Sequence, residues 1–221
     1  EILAYYITLL KSLAMRLDIE TIKFFFIQVP EPTFPLYIEA TKFFSHRDQM
    51  VRATVRTISL QVYRINDEQM RKFVLRHAAE SYFSQLAFHL RDLWLRLGAA
   101  TGNGADLASA QRENELQQDL LMYLSDVFDL QVTALNEVLA DRLLSCAMLP
   151  VLICGMVTAT AGEAPSSFGP RASGAVPPQG PECRDLTTPV ALFLAQQVFS
   201  TIRARVLLEP LASALLERKI P

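Results

Sequence analysis

The densest concentration of side chains able to do chemistry is basic. Lys42, Arg47, Arg52, Arg56, Arg64, Arg71, Lys72 and Arg76 follow one another closely, opposed in that stretch only by Asp48, Asp67 and Glu68. Cations grouped in this way attract anions, either an acidic peptide or the headgroups of an anionic lipid surface. Lys42, Arg47, Arg52 and Arg56 are the candidate partner or lipid surface. Arg52 and Arg56 stand four apart, so on a helix they share a face and repel by a few tenths of a kcal/mol. The same pattern has a plainer reading, in which each arginine pairs with an acidic residue of a neighbouring helix. The residues alone leave both readings open.

Catalytic chemistry finds little support. Asp126 and Asp129 lie one helical turn apart, a spacing that acid–base catalysis can use, but no partner group accompanies them and a solvated face is expected. His46, His77 and His89 share no metal-ligand spacing. No nucleophile elbow, zinc-protease helix, phosphate-cradling loop or calcium loop occurs. Cys146, Cys154 and Cys183 form no CxxC pair, and the first two lie in an apolar stretch where cysteine behaves as a small core residue. The expectation is a non-enzyme with no cofactor and no metal, in a reducing cytosolic compartment. A net charge of −2 and a pI near 6.0 argue against a nucleic-acid partner.

The elements that must position the basic group are helices. Ile2, Tyr6, Leu9, Leu13 and Leu17 recur at three- and four-residue steps and predict one apolar stripe from the start of the chain. That pattern is already running at a first residue that is not Met, so the chain is expected to be an internal piece of a longer protein. Asp18 predicts a cap for a short helix through Phe24, Phe25 and Phe26. Pro30 and Pro32 force an extended turn, and Pro35 suits the first turn of the next helix. Val51, Val55, Ile58 and Val62 predict the buried face of the helix carrying Arg52 and Arg56. Asn66 and Ser81 are expected to cap two further helices, the second holding Phe83, Leu86, Leu90 and Trp94.

Residues 98–112 read as a loop, followed by helix to about Leu144 with a break near Asp129 to Thr133. Leu143 to Gly162 carries no charge and is long enough to span a bilayer, yet Pro150, Gly155 and its hydroxyl residues dilute it. A buried helix is expected there. Residues 161–187 are rich in Gly, Pro, Ser and Ala and read as a disordered insertion. Residues 188–221 read as further helices, with Thr188 as a cap and Leu192, Phe199, Ile202 and Val206 as a core face that Pro210 ends or kinks. With no strand alternation, the predicted class is all-α, an armadillo/HEAT-like helical solenoid whose helical domain covers 1–160.

The run from Phe34 to His46, with the Phe-Pro-Leu triplet at Phe34, Pro35 and Leu36, followed by Met50 to Thr57, resembles the FPL-domain family. Glu1 to Ile7, Leu10 to Leu13 and Leu135-Asn136-Glu137-Val138-Leu139 are similar to it in style. The resemblance implies a helical scaffold or adaptor in endosomal, Golgi and lysosomal or vacuolar traffic and in autophagy, including mitophagy. It implies a cytoplasmic location peripheral to those membranes and partners among the trafficking and autophagy proteins. It brings no catalytic residue to this segment. Phe34, Pro35 and Leu36 are expected to be structural, a Pro-started helix with a Phe tucked beneath it. The alternative function is a peripheral membrane module that recognises anionic lipid through the basic face.

Overall fold

The computed structural model describes residues 2–102, 106–157 and 186–217. Every element among them is helical, and the nearest approach to a strand is one antiparallel backbone pair, Ile27 with Thr33, across the loop holding the cis Val29–Pro30 bond. Residues 161–185 of the expected insertion, including Cys183, lie outside the described residues.

Helix α1 (Ile2–Ala14) packs on α3 (Gln49–Arg64), with the short α2 (Pro35–Thr41) beside them. The expected stripe on α1 is corrected: Ile7, Leu10, Ala14 and Leu17 are buried, whereas Ile2, Tyr6 and Leu9 face outward. Apolar residues surround α1, so periodicity alone does not choose the face. Tyr5 joins the outward set at 75% exposure, leaving an apolar stripe open on this helix.

Asp48 begins α3 by accepting the Met50 N–H at 2.8 Å, a cap of the kind that contributes about 1 kcal/mol. Helix α4 (Glu68–His77) is capped by Asp67, which accepts the Met70 N–H at 2.7 Å, and not by the expected Asn66. Ser81 caps nothing. The chain passes from α4 through a π-wound turn (Ala78–Tyr82) straight into α5 (Phe83–Ala100). The wider turn shifts the buried face, so Tyr82 and Phe83, adjacent in sequence, are both enclosed. Trp94, fully buried on α5, donates its indole N–H to Gln117 Oε1 at 3.3 Å on α6 (Leu107–Asp129).

The loop between α5 and α6 is shorter than expected, because helix persists to Ala100 and resumes at Leu107 under an Asp106 cap. The predicted break after Asp129 is present. Gln131 takes a positive φ of 56° there, a conformation in which a side chain is strained. Asn136 of α7 (Thr133–Leu143) helps hold the turn by donating to the Phe128 carbonyl at 2.9 Å. The uncharged run continues α7 as a π-wound segment (Leu144–Ile153) and α8 (Cys154–Val157). Ala147, Met148 and Leu152 are fully buried against α5 and α7, and no helix among the described residues is long and apolar enough to cross a membrane.

Helix α9 (Thr188–Thr201) begins one residue earlier than expected, with Thr187 at the cap position and Pro189 in the first turn. Thr188 instead donates its hydroxyl to the Gly155 carbonyl at 3.2 Å. Of the predicted core face Ile202 is buried, but Leu192, Phe199 and Val206 are exposed, and Ala191, Leu194, Ala195 and Val198 are buried instead. The chain turns at Ile202, before Pro210, which lies inside α10 (Arg205–Glu217). Full burial of Leu207 and Leu211 offsets the hydrogen bond that Pro210 cannot make.

Candidate interaction surface

The four candidate cations do not form one surface. Arg52 and Arg56 turn inward, their side chains 9% and 12% exposed. Arg56 Nη1 lies 2.6 Å from Asp119 Oδ1 on α6 and also donates to the Asp119 carbonyl at 3.0 Å. Arg52 Nη1 donates to the carbonyls of His46 and Arg47 at 2.8 and 3.0 Å, and its Nη2 lies 3.6 Å from Asp119 Oδ2. Their repulsion is relieved by one shared carboxylate. Lys42 is exposed and pairs with Glu39 one turn back at 2.6 Å, and Arg47 is exposed. Phe34 is fully enclosed against the rings of Phe26 and Tyr37, Pro35 opens α2, and Leu36 is buried.

Arg56 continues into a buried polar seam that periodicity does not reveal. Its guanidinium lies 5.5 Å from the centre of the Tyr123 ring. The Tyr82 and Tyr123 hydroxyls meet at 3.1 Å, and those of Tyr37 and Tyr63 at 2.7 Å. Burial makes ionisation of all four costly and pushes Tyr123 up to about 12. They therefore act as neutral hydrogen-bonding groups.

His89 sits nearby with its ring 5.7 Å from that of Phe44. Burial, then the positive charges of Arg96, Arg52 and Arg56, lower its pKa against the opposing pull of Asp92. The unfolded chain therefore binds a proton there at a higher pH than the folded chain does. Stability that is complete above the ordinary histidine value is lost as pH falls through the lower, folded value. His89→Gln is expected to show a smaller fall in Tm between about pH 7 and about pH 5 than the parent chain. An equal fall in both, measured by circular dichroism, would remove His89 as the source.

A cavity of about 280 Å³ opens between the end of α3, one side of α4 and the start of α7. Its walls are Val62, Met70, Val74, Val132 and Leu135. Arg71 stands at its edge, its Nε donating to the carbonyl of Ile65 at 3.0 Å. Arg71 makes no ion pair among the described residues. Lys72 borders the same cavity and also a hollow of about 730 Å³ on the opposite side of α4, lined by Phe26, Pro32, Phe73 and Arg76. Among the described residues, no group of three or more His, Cys, Asp and Glu could hold a metal ion.

Two family models match the chain. One, FPL, described as an uncharacterised conserved protein, covers residues 1–63; the other, described as the CLEC16A helical domain, covers residues 105–220, more than half of the 221 residues. The chain belongs to the CLEC16A family. It is 38% identical to Protein CLEC16A homolog of Drosophila melanogaster over 162 residues, which is 72% of this chain and 15% of that protein. It is 31% identical to Protein CLEC16A of Mus musculus over 221 residues, 98% of this chain and 20% of that protein. Protein TRANSPARENT TESTA 9 of Arabidopsis thaliana is 29% identical over 161 residues, 69% of this chain and 19% of that protein. The chain therefore spans no more than about a fifth of the length of these relatives. No solved structure matches.

The two matched CLEC16A-family segments meet at the ion cluster. Arg52 and Arg56 belong to the first and Asp119 to the second, so one carboxylate ties them together. Asn136, in the stretch similar to the family in style, has its own local task at the end of α6. The cavity was missed in the sequence because its lining comes from three elements.

Proposed function

We propose that this CLEC16A-family chain is part of an armadillo/HEAT-like helical scaffold. It docks other proteins in endosomal, Golgi and lysosomal or vacuolar traffic and in autophagy, including mitophagy, and carries out no chemical step itself. The observation supporting a docking role most directly is the open apolar cavity beside Arg71, on helices otherwise well packed. The cellular setting rests on the family resemblance. Its location would be cytoplasmic and peripheral to those membranes.

The test is affinity capture of the tagged full-length protein from its own cells, with mass spectrometry of what comes with it. Enrichment of endosomal, Golgi or autophagy proteins over a tag-only control is the expected result. Their absence would remove the trafficking assignment. Flotation with anionic liposomes addresses the competing lipid reading, which depends on the exposed Lys42 and Arg47. Binding that falls steeply with salt and is lost when both are changed to Glu would favour that reading instead.

A further inference from the structure

The cavity between α3, α4 and α7 has apolar walls and Arg71 in its lining. We infer that this cavity binds a short acidic segment of a partner protein, with a bulky apolar side chain seated between Met70, Val74 and Leu135 and a neighbouring carboxylate held by Arg71. The inference names the partner-facing site of the scaffold and rests on that reading.

Size and charge select this occupant. A space of about 280 Å³ takes one or two large side chains and lies just below the range for whole drug-sized ligands. Arg71 is already oriented: the bond from its Nε to Ile65 holds the guanidinium at the edge, and its other N–H groups meet no acceptor among the described residues. A fixed guanidinium presents paired donors that match a carboxylate. The start of α7 forms part of the same wall and has Val132 at its cap position, so no side chain there offsets the partial positive charge of its first turn. Glu68 is the acidic residue at the cavity, and Lys72 already pairs with it at 2.7 Å. The uncompensated charge at the edge is that of Arg71.

The test uses the full chain on a labelled peptide array. Two adjacent array positions vary among Leu, Ile, Met, Phe and Ala, and the flanking positions vary among Glu, Gln and Lys. Binding is expected to require a large apolar residue and to favour Glu flanks over Gln by about tenfold, the scale of a charge-assisted hydrogen bond. Two variants locate the site. Ala134→Phe fills the opening from an exposed position on α7 and should lower binding of every apolar peptide about tenfold or more. Arg71→Gln should abolish the Glu preference while leaving the apolar requirement. Circular dichroism must show both variants folded.

A blank array, or binding unchanged by Ala134→Phe in the folded variant, overturns the inference. So does labelled dodecanoate binding that depends on Arg71 while no peptide binds, since the occupant would then be a lipid chain. If the array is blank but trafficking proteins are still captured from cells, the site fails and the scaffold reading stands. If neither is found, both fail.

Discussion

Asp119→Ala destabilises the folded chain by about 3 kcal/mol, a loss of roughly 6–12 °C in Tm for a domain of this size. One carboxylate serves two inward-facing guanidiniums, at 2.6 Å from Arg56 and 3.6 Å from Arg52. Removing it leaves two like charges close together and largely shielded from water. Deleting one member of a buried ion pair costs about 3–5 kcal/mol, and the 30% exposure of Asp119 places this site near the lower end. Asp119→Asn should fall between parent and Ala, because it keeps acceptors but loses the charge. Arg47→Ala, at an exposed position, should change stability by no more than about 0.5 kcal/mol. Urea unfolding of the four chains checks the order. A loss below about 1 kcal/mol for Asp119→Ala would mean that water replaces the carboxylate, and the two arginines would then be available to a ligand.

The same geometry rules out Arg52→Glu with Arg56→Glu as a clean test of docking. That pair of changes would place three carboxylates together in a buried seam, so loss of partners would report unfolding.

The ion cluster also shows where the sequence was legible and where it was not. That Arg52 and Arg56 share a face follows from their spacing, and pairing with another helix was one of the two readings. Asp119 could not be named, because its contact with Arg56 spans 63 positions and no local rule connects them. The start of α4 was readable to within one residue, because capping is local chemistry, but Asn66 and Asp67 are both good caps and only the structure selects Asp67. The turn at Ala78 to Tyr82 was not, since a π-wound turn lets the helix pass a residue that would otherwise suit a start. Helices α1 and α9 carry apolar side chains on more than one face, and only packing decided which were enclosed. The cavity was hidden for a related reason. Periodicity identifies apolar residues, but not where three elements fail to close over them.

The second large effect is expected at the Phe-Pro-Leu triplet, and it should fall unequally on its members. Phe34 is wholly enclosed, at 6.2 Å ring-to-ring from both Phe26 and Tyr37. It stands at the cap position of α2 with an extended φ of −131°, so its side chain drops beneath the helix that Pro35 begins. Tyr37, one turn on, carries the hydroxyl that meets Tyr63, which joins this small helix to α3. Phe34→Ala removes a ring from a packed site and should cost about 3–5 kcal/mol. Pro35→Ala should cost less than about 1 kcal/mol, because the exposed first-turn N–H it restores can bond to water and only the restriction of the unfolded chain is lost. Denaturant unfolding of both variants reads the difference directly. Equal small losses would mean that the ring does not hold α2 in place. If Phe34→Ala unfolds early but captures the same proteins below its Tm, the triplet acts through architecture, and partner choice must come from the residues that α2 and α3 support.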